Sequence, residues 1–172
     1  MTRERPRVVL IMGVAGSGKS TVGAALAWEI AAEFLEADDF HSEENVARMR
    51  SGMALTDEDR GPWLHRLRAA IEYRVARGFD VVVACSALKR AYRKILLGGA
   101  SLKADAQVVF LHGAPEVLRA RLAARRDHFA GPELLDSQLA ALEPPPRAIE
   151  FDVSRPADEI VAELAAQFGP TS

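Results

Sequence analysis

Five short apolar runs punctuate the chain, and the stretches between them carry apolar residues at three- and four-residue spacing. The runs are Val8–Met12, Glu33–Ala37, Phe79–Cys85, Gln107–His112 and Ala148–Val153. They are near-continuous rather than alternating, which predicts strands buried on both faces, as in a parallel sheet. The intervening periodicity predicts helices. The best marked begins at the capping box Thr56-Asp57-Glu58-Asp59 and carries the stripe Trp63, Leu64, Leu67, Ala70, Ile71 and Val75. It is expected to stop at Arg77-Gly78, a basic last turn followed by a glycine. Pro115 and Pro156 suit first helical turns, whereas Leu142-Glu143-Pro144-Pro145-Pro146 reads as a stiff connection into the last strand. The alternation predicts one α/β domain over residues 1–172: a doubly wound, five-stranded parallel sheet flanked by helices. Ligands are expected beyond the carboxyl ends of its strands.

Two segments look devoted to function rather than to sheet-building. One follows the second strand, from Asp38 to about Gly61. The other runs from about Ala123 to Gly131 and is crowded with Arg125, Arg126, Asp127 and His128. They read as an acceptor-binding segment (38–61) and a lid (123–131), placed as in small kinases.

Composition narrows the class. The 172 residues are 49% hydrophobic and 27% charged, ordinary for a soluble globular domain. A net charge of −2 argues against nucleic acid as a partner. One cysteine, Cys85, excludes an internal disulfide and suits a reducing, cytoplasmic setting. No apolar stretch reaches the roughly 20 residues of a membrane span. The charged N-terminus leads straight into a strand, which reads as lacking a signal peptide.

The strongest chemical signal lies between the first strand and the first helix. Gly13-Val14-Ala15-Gly16-Ser17-Gly18-Lys19-Ser20 is a phosphate-binding loop in the strand–loop–helix context that the pattern needs. Glycines let successive backbone N–H groups turn toward phosphate oxygens, and the N-terminus of the helix running on through Thr21 adds its positive dipole end. Lys19 reaches the β- and γ-phosphates, and the Ser20 hydroxyl can ligate Mg²⁺. This predicts binding of a nucleoside triphosphate.

Three further constellations suggest what is done with it. Asp38-Asp39-Phe40-His41 stands at the carboxyl end of the second strand, where a carboxylate can orient or deprotonate an acceptor hydroxyl. The aspartates could instead cap the following helix, but Ser42 can do that equally well. Cys85-Ser86-Ala87-Leu88-Lys89-Arg90 follows the third strand; its backbone N–H groups, Ser86 and Lys89 could bind an anionic or polyhydroxylated acceptor. Cys85 reads as a small packed residue. Arg121 and Arg125, spaced i, i+4, are expected to share a helix face and to stack on adenine and grip the γ-phosphate.

With those residues assembled, the chain closely resembles the gluconokinases of the small P-loop type, relatives of shikimate and adenylate kinases. Beyond the loop, the resemblance rests on Asp38-Asp39-Phe40-His41, on Asn45, Met49 and Gly52, and on Leu55 through Leu64 with its Asp59-Arg60-Gly61-Pro62-Trp63-Leu64. It continues through Cys85-Ser86-Ala87-Leu88-Lys89, Tyr92-Arg93, Arg121-Leu122, Arg125, His128-Phe129 and Leu134-Leu135-Asp136-Ser137-Gln138. Glu36-Ala37, Met53 and Leu139 depart from the family's usual Asp-Gly, Pro and Phe, at positions expected to lie outside the chemistry. The resemblance implies ATP- and Mg²⁺-dependent phosphorylation of D-gluconate to 6-phosphogluconate, feeding the pentose phosphate route, by a cytoplasmic enzyme that forms a homodimer. It implies that Asp38 meets the acceptor hydroxyl and that His41, Arg60 and Lys89 help hold the sugar acid. A cation such as Arg60 suits a carboxylate acceptor bidentately, while Lys19 and Arg125 would neutralise the transferring group. Catalytic roles are thus expected for Lys19, Asp38 and Arg125. The alternatives are another small hydroxylated acceptor such as shikimate, a nucleotide-dependent switch (without an N-K-x-D guanine pattern) or a nucleic-acid kinase, which the acidic balance disfavours.

Overall fold

The computed structural model describes residues 5–125 and 132–169. Five strands, β1 (Arg7–Met12), β2 (Glu33–Glu36), β3 (Val81–Ala84), β4 (Asp105–His112) and β5 (Ile149–Asp152), form one sheet in the order β2-β3-β1-β4-β5. All four pairings are parallel. Each expected strand is present; β2, β3 and β5 are shorter than expected by one to three residues, and β1 and β4 begin one or two residues earlier. Phe79 falls outside β3 because its amide turns back to the Arg74 carbonyl at 3.1 Å, closing the turn in which Gly78 takes φ +84°.

The helices among the described residues are α1 (Lys19–Glu29), α2 (Glu43–Arg50), α3 (Asp57–Ala76), α4 (Arg90–Leu97), α5 (Pro115–Ala124), α6 (Pro132–Ala141) and α7 (Ala157–Phe168), with a 3₁₀ turn at Ala37–Phe40. Alternate side chains of a strand face opposite ways, so β1 feeds two cores. Val9 and Ile11 pack on one side with Leu26, Leu118, Leu122, Leu135, Ile160 and Leu164 from α1, α5, α6 and α7. Val8, Leu10 and Met12 pack on the other with Leu64, Leu67, Ile71 and Leu96 from α3 and α4. Burial on both faces is the physical reason that the strands read as unbroken apolar runs.

The expected helix signals hold with one shift. The Thr56 hydroxyl accepts from the Asp59 amide at 3.1 Å and the Asp59 carboxylate accepts from the Thr56 amide at 2.9 Å, a reciprocal capping box. Pro115 is the first residue of α5. Pro156 stands one position earlier than expected, as the extended N-cap of α7, where its carbonyl accepts from the Ile160 amide at 3.3 Å. Ser42, and neither aspartate, caps α2, accepting from the Asn45 amide at 3.1 Å.

Candidate active site

The phosphate loop leaves the carboxyl end of β1, the central strand. A Cβ on Gly13 would lie 2.4 Å from the Leu111 carbonyl oxygen and 2.6 Å from Ser17 Oγ, so only glycine lets the loop pass this close to β4. Gly16 and Gly18 have φ +82° and +89°, the left-handed region that glycine enters without strain, and Gly18 is the N-cap of α1. Val14 and Ser17 are buried, and the Ser17 amide bonds the Val14 carbonyl at 3.2 Å, closing the loop's first turn. Lys19 folds back over that turn and donates to the same carbonyl at 3.1 Å. Desolvation pushes its pKa down and Arg125 adds to the fall, while Asp38, Cys85 and Glu36 oppose it. Thr21, exposed on the first turn of α1, borders a depression of about 550 Å³ between α1 and α7.

Glu36 enters the site although it was expected to lie outside the chemistry. The Ser20 hydroxyl donates to its carboxylate, and the partial burial of Glu36 raises its pKa, with the Asp38 charge adding to the rise and the Ser20 hydroxyl, the Asp38 amide and Lys19 opposing it. β3 lies between β1 and β2, so the contact exists because α1 packs over β3 and carries Ser20 across to β2. The Glu36-x-Asp38 spacing at a strand's carboxyl end was the available signal for it. Ser20 thus pairs its hydroxyl with a carboxylate, and both are oxygen donors of the kind a hard divalent cation prefers.

Asp38 occupies the 3₁₀ turn after β2 with an 84% exposed side chain, next to a nearly enclosed imidazole: Asp38 Oδ1 is 4.0 Å from His41 Nε2. His41 stacks on Trp63 with ring centroids 4.1 Å apart and planes 15° from parallel. Burial lowers the His41 pKa, Asp38 partly offsets this, and Arg60 and Arg66 deepen it, so the ring is neutral near pH 7. Its Nδ1 is buried and has no hydrogen-bond partner among the described residues. Trp63, expected as core, also works as a latch, its indole N–H donating to the Ala37 carbonyl at 2.7 Å. Asp39 is exposed on the same turn.

The expected acceptor cations converge from two helices. Lys89, the N-cap of α4, donates to both carboxylate oxygens of Asp57 at 3.0 Å, and Arg60 Nη1 lies 3.8 Å from Asp57. The Tyr92 hydroxyl donates to Asp57 and accepts from Arg60 Nη1 at 3.3 Å. The α4 N-terminus differs from expectation: the Arg90 amide binds the Glu143 carboxylate at 2.5 Å, so that donor is used within the fold. Ser86 is half-buried in the irregular segment that follows β3, and Cys85 is buried.

Arg121 and Arg125 do not share a helix face. Arg121 lies in the last turn of α5, its guanidinium donating to the Val153 carbonyl, and comes within 3.9 Å of where a Cβ on Gly18 would be. Arg125 is the C-cap, and its extended backbone (φ −87°, ψ 126°) ends the helical register. Its charge still reaches Lys19. The rest of the expected lid, 126–131, lies outside the described residues. Across that gap the Arg119–Asp136 ion pair at 2.6 Å joins α5 to α6, and Gln138 on α6 accepts from the Ala15 amide of the phosphate loop at 2.6 Å.

A phosphate loop on the central strand of a β2-β3-β1-β4-β5 parallel sheet, with a carboxylate and two cations beyond it, defines a P-loop kinase. The AAA-domain family model matches residues 8–145. A probable gluconokinase of Mus musculus is 46% identical over 178 residues, which cover 94% of this chain and 97% of that protein. Among solved structures, a gluconokinase from Sinorhizobium meliloti 1021 has a TM-score of 0.79 and 44% identity, covering 96% of this chain and 93% of that one. A sugar kinase from Janibacter sp. HTCC2649 has a TM-score of 0.85 and 38% identity, covering 96% and 99%. The chain belongs to the gluconokinase family.

Proposed function

We propose that this enzyme transfers the γ-phosphoryl group of ATP to D-gluconate, giving 6-phospho-D-gluconate. The observation that carries the reading is one continuous line of polar groups from the phosphate loop to two acceptor-side cations: Lys19, Asp38, His41, Arg60 and Lys89. Each interacts electrostatically with the next or, at Arg60 and Lys89, meets it at Asp57. The domain works as one unit, with 38–61 as the acceptor-binding segment and 123–131 as the lid.

In this reading, the loop amides of residues 13–21 cradle the phosphates, and Lys19 swings from the Val14 carbonyl to the β- and γ-oxygens. Ser20 would hold Mg²⁺ together with the nucleotide's phosphates, and the ion would supply charge neutralisation on the transferring group. Asp38 is free to rotate toward solvent and accepts the hydrogen bond of the gluconate hydroxyl, aiming its lone pair at the γ-phosphorus. It takes the proton late, because a loose transition state needs little prior deprotonation. His41, neutral and braced by Trp63, offers its Nε2 edge, the one facing Asp38, to a sugar hydroxyl. Arg60 and Lys89 bind the carboxylate, and Ser86 contributes its hydroxyl nearby. Arg121 and Arg125 border the nucleotide on the lid side, Arg125 meeting charge that develops in transfer.

A coupled assay with ATP across a panel of sugar acids and shikimate tests the acceptor. Turnover on gluconate at least about tenfold above the others is expected, and preference for another acceptor overturns the assignment. Asp38→Asn keeps the shape and removes both charge and basicity. It should lower kcat by roughly 10²-fold or more while Mg·ATP still binds. Near-normal kcat in that variant would move the role to Asp39.

A further inference from the structure

Asp57 has no role in the transfer just described, yet it is the hub of the acceptor-side cluster. It stands at the first position of α3, where an acid needs no special explanation beyond the helix dipole. The capping of α3, however, is done by Thr56 and Asp59, so Asp57 is not needed for it. Both of its oxygens are instead committed across to α4, to Lys89 Nζ at 3.0 Å each and to the Tyr92 hydroxyl. Arg60 completes the group, with Nη1 3.8 Å from the carboxylate and 3.3 Å from the Tyr92 hydroxyl. Both cations lie close to the same ring, Lys89 Nζ 5.7 Å and Arg60 Cζ 5.8 Å from the Tyr92 centroid.

Two cations that flank one phenol repel each other and, on long flexible stems, would spread into solvent. A carboxylate between them cancels one charge and leaves the cluster with a net positive charge, still attractive to an anion. It also accepts the Tyr92 hydroxyl's hydrogen bond and fixes the direction of Lys89, while the outer edge of Arg60 keeps donors that no described residue takes. We propose that Asp57 is a positioning residue that sets acceptor specificity: it gathers Lys89, Tyr92 and Arg60 into a preformed seat for the carboxylate of the acceptor. This rests on the assignment of Arg60 and Lys89 to the acceptor side.

The test compares Asp57→Asn with Lys89→Met and Arg60→Met, measuring KM for gluconate and for ATP, kcat and thermal unfolding. Asp57→Asn is expected to raise the gluconate KM about tenfold, moving the ATP KM less than about twofold, with the melting temperature nearly unchanged. A raised gluconate KM in the Lys89 and Arg60 variants with none in Asp57→Asn overturns the positioning role alone. No effect on gluconate in any of the three overturns the acceptor-site assignment as well. A lowered gluconate KM in Asp57→Asn also refutes the proposal, since Asp57 would then compete with the acceptor rather than build its seat. A fall in melting temperature with unchanged KM values would make the cluster purely structural.

Discussion

Replacing Trp63 by Phe separates the two jobs of that residue. The indole is 4% exposed, donates to the Ala37 carbonyl at 2.7 Å and stacks on His41 at 4.1 Å. Phenylalanine keeps an aromatic face toward His41 and removes the donor. Losing a buried hydrogen bond costs about 1–3 kcal/mol when the acceptor remains desolvated. The smaller ring and the altered stack add about 1 kcal/mol. A total of about 2–4 kcal/mol corresponds to a melting point lower by roughly 4–16 °C for a domain of this size. The functional consequence is the sharper one, because Ala37 begins the turn that carries both Asp38 and His41. A shift of the order of 1 Å at Asp38 is worth up to about 10²-fold in transfer. Calorimetry and gluconate kinetics below the new melting point should therefore show a loss in kcat/KM for gluconate that exceeds any change in the KM for ATP. A variant within about 1 °C of the parent, or one whose two substrates suffer equally, would refute the latch.

Cys85 is buried with its thiol pKa pushed up to about 12, so it should resist iodoacetamide at pH 8 in the folded protein and react only on unfolding; labelling at a rate independent of denaturant would contradict this. Asp59 is held below its ordinary pKa of 3.8 by the Thr56 amide and hydroxyl, with Arg48 adding to the effect. A depressed carboxylate contributes stability that is present above the unfolded pKa and lost as pH falls through the folded one. Asp59→Asn should therefore lower stability at pH 7 and flatten its decline below pH 3.8, as read from denaturant midpoints on a pH series; an unchanged acid limb would remove Asp59 from the account.

The strands and the phosphate loop were legible because each depends on residues adjacent in sequence. Val8–Met12 is apolar throughout because both faces of β1 are covered, and the loop's glycines mark left-handed or crowded backbone that other residues cannot occupy. The acidic turn at Asp38, the cap at Ser42 and the box at Thr56 are likewise local, with partners within three residues. Lys89 and Arg60 were readable as cations, but not as a pair, since 29 positions of chain separate them and only α3 packing on α4 joins them. Glu36 was set aside as a departure of fine detail, and only the path of α1 over β3 shows that its carboxylate meets Ser20. Gln138 carried resemblance without a role until α6 placed it on the Ala15 amide. Arg121 and Arg125 show the converse. Their spacing implied one face, but α5 ends between them, and the extended backbone at Arg125 breaks the helical register.

The sequence by itself thus determined the fold class, the phosphate loop and the family, because short-range sterics, burial period and a contiguous loop encode them. Only the tertiary structure decided which side chains share a charge environment. Strand order and helix crossings set distances between remote residues, and hydrogen bonds and desolvation act only at those distances. That is why Asp57, Glu36 and the latch at Trp63 emerged from the packed chain, although every one of them had been in plain view along it.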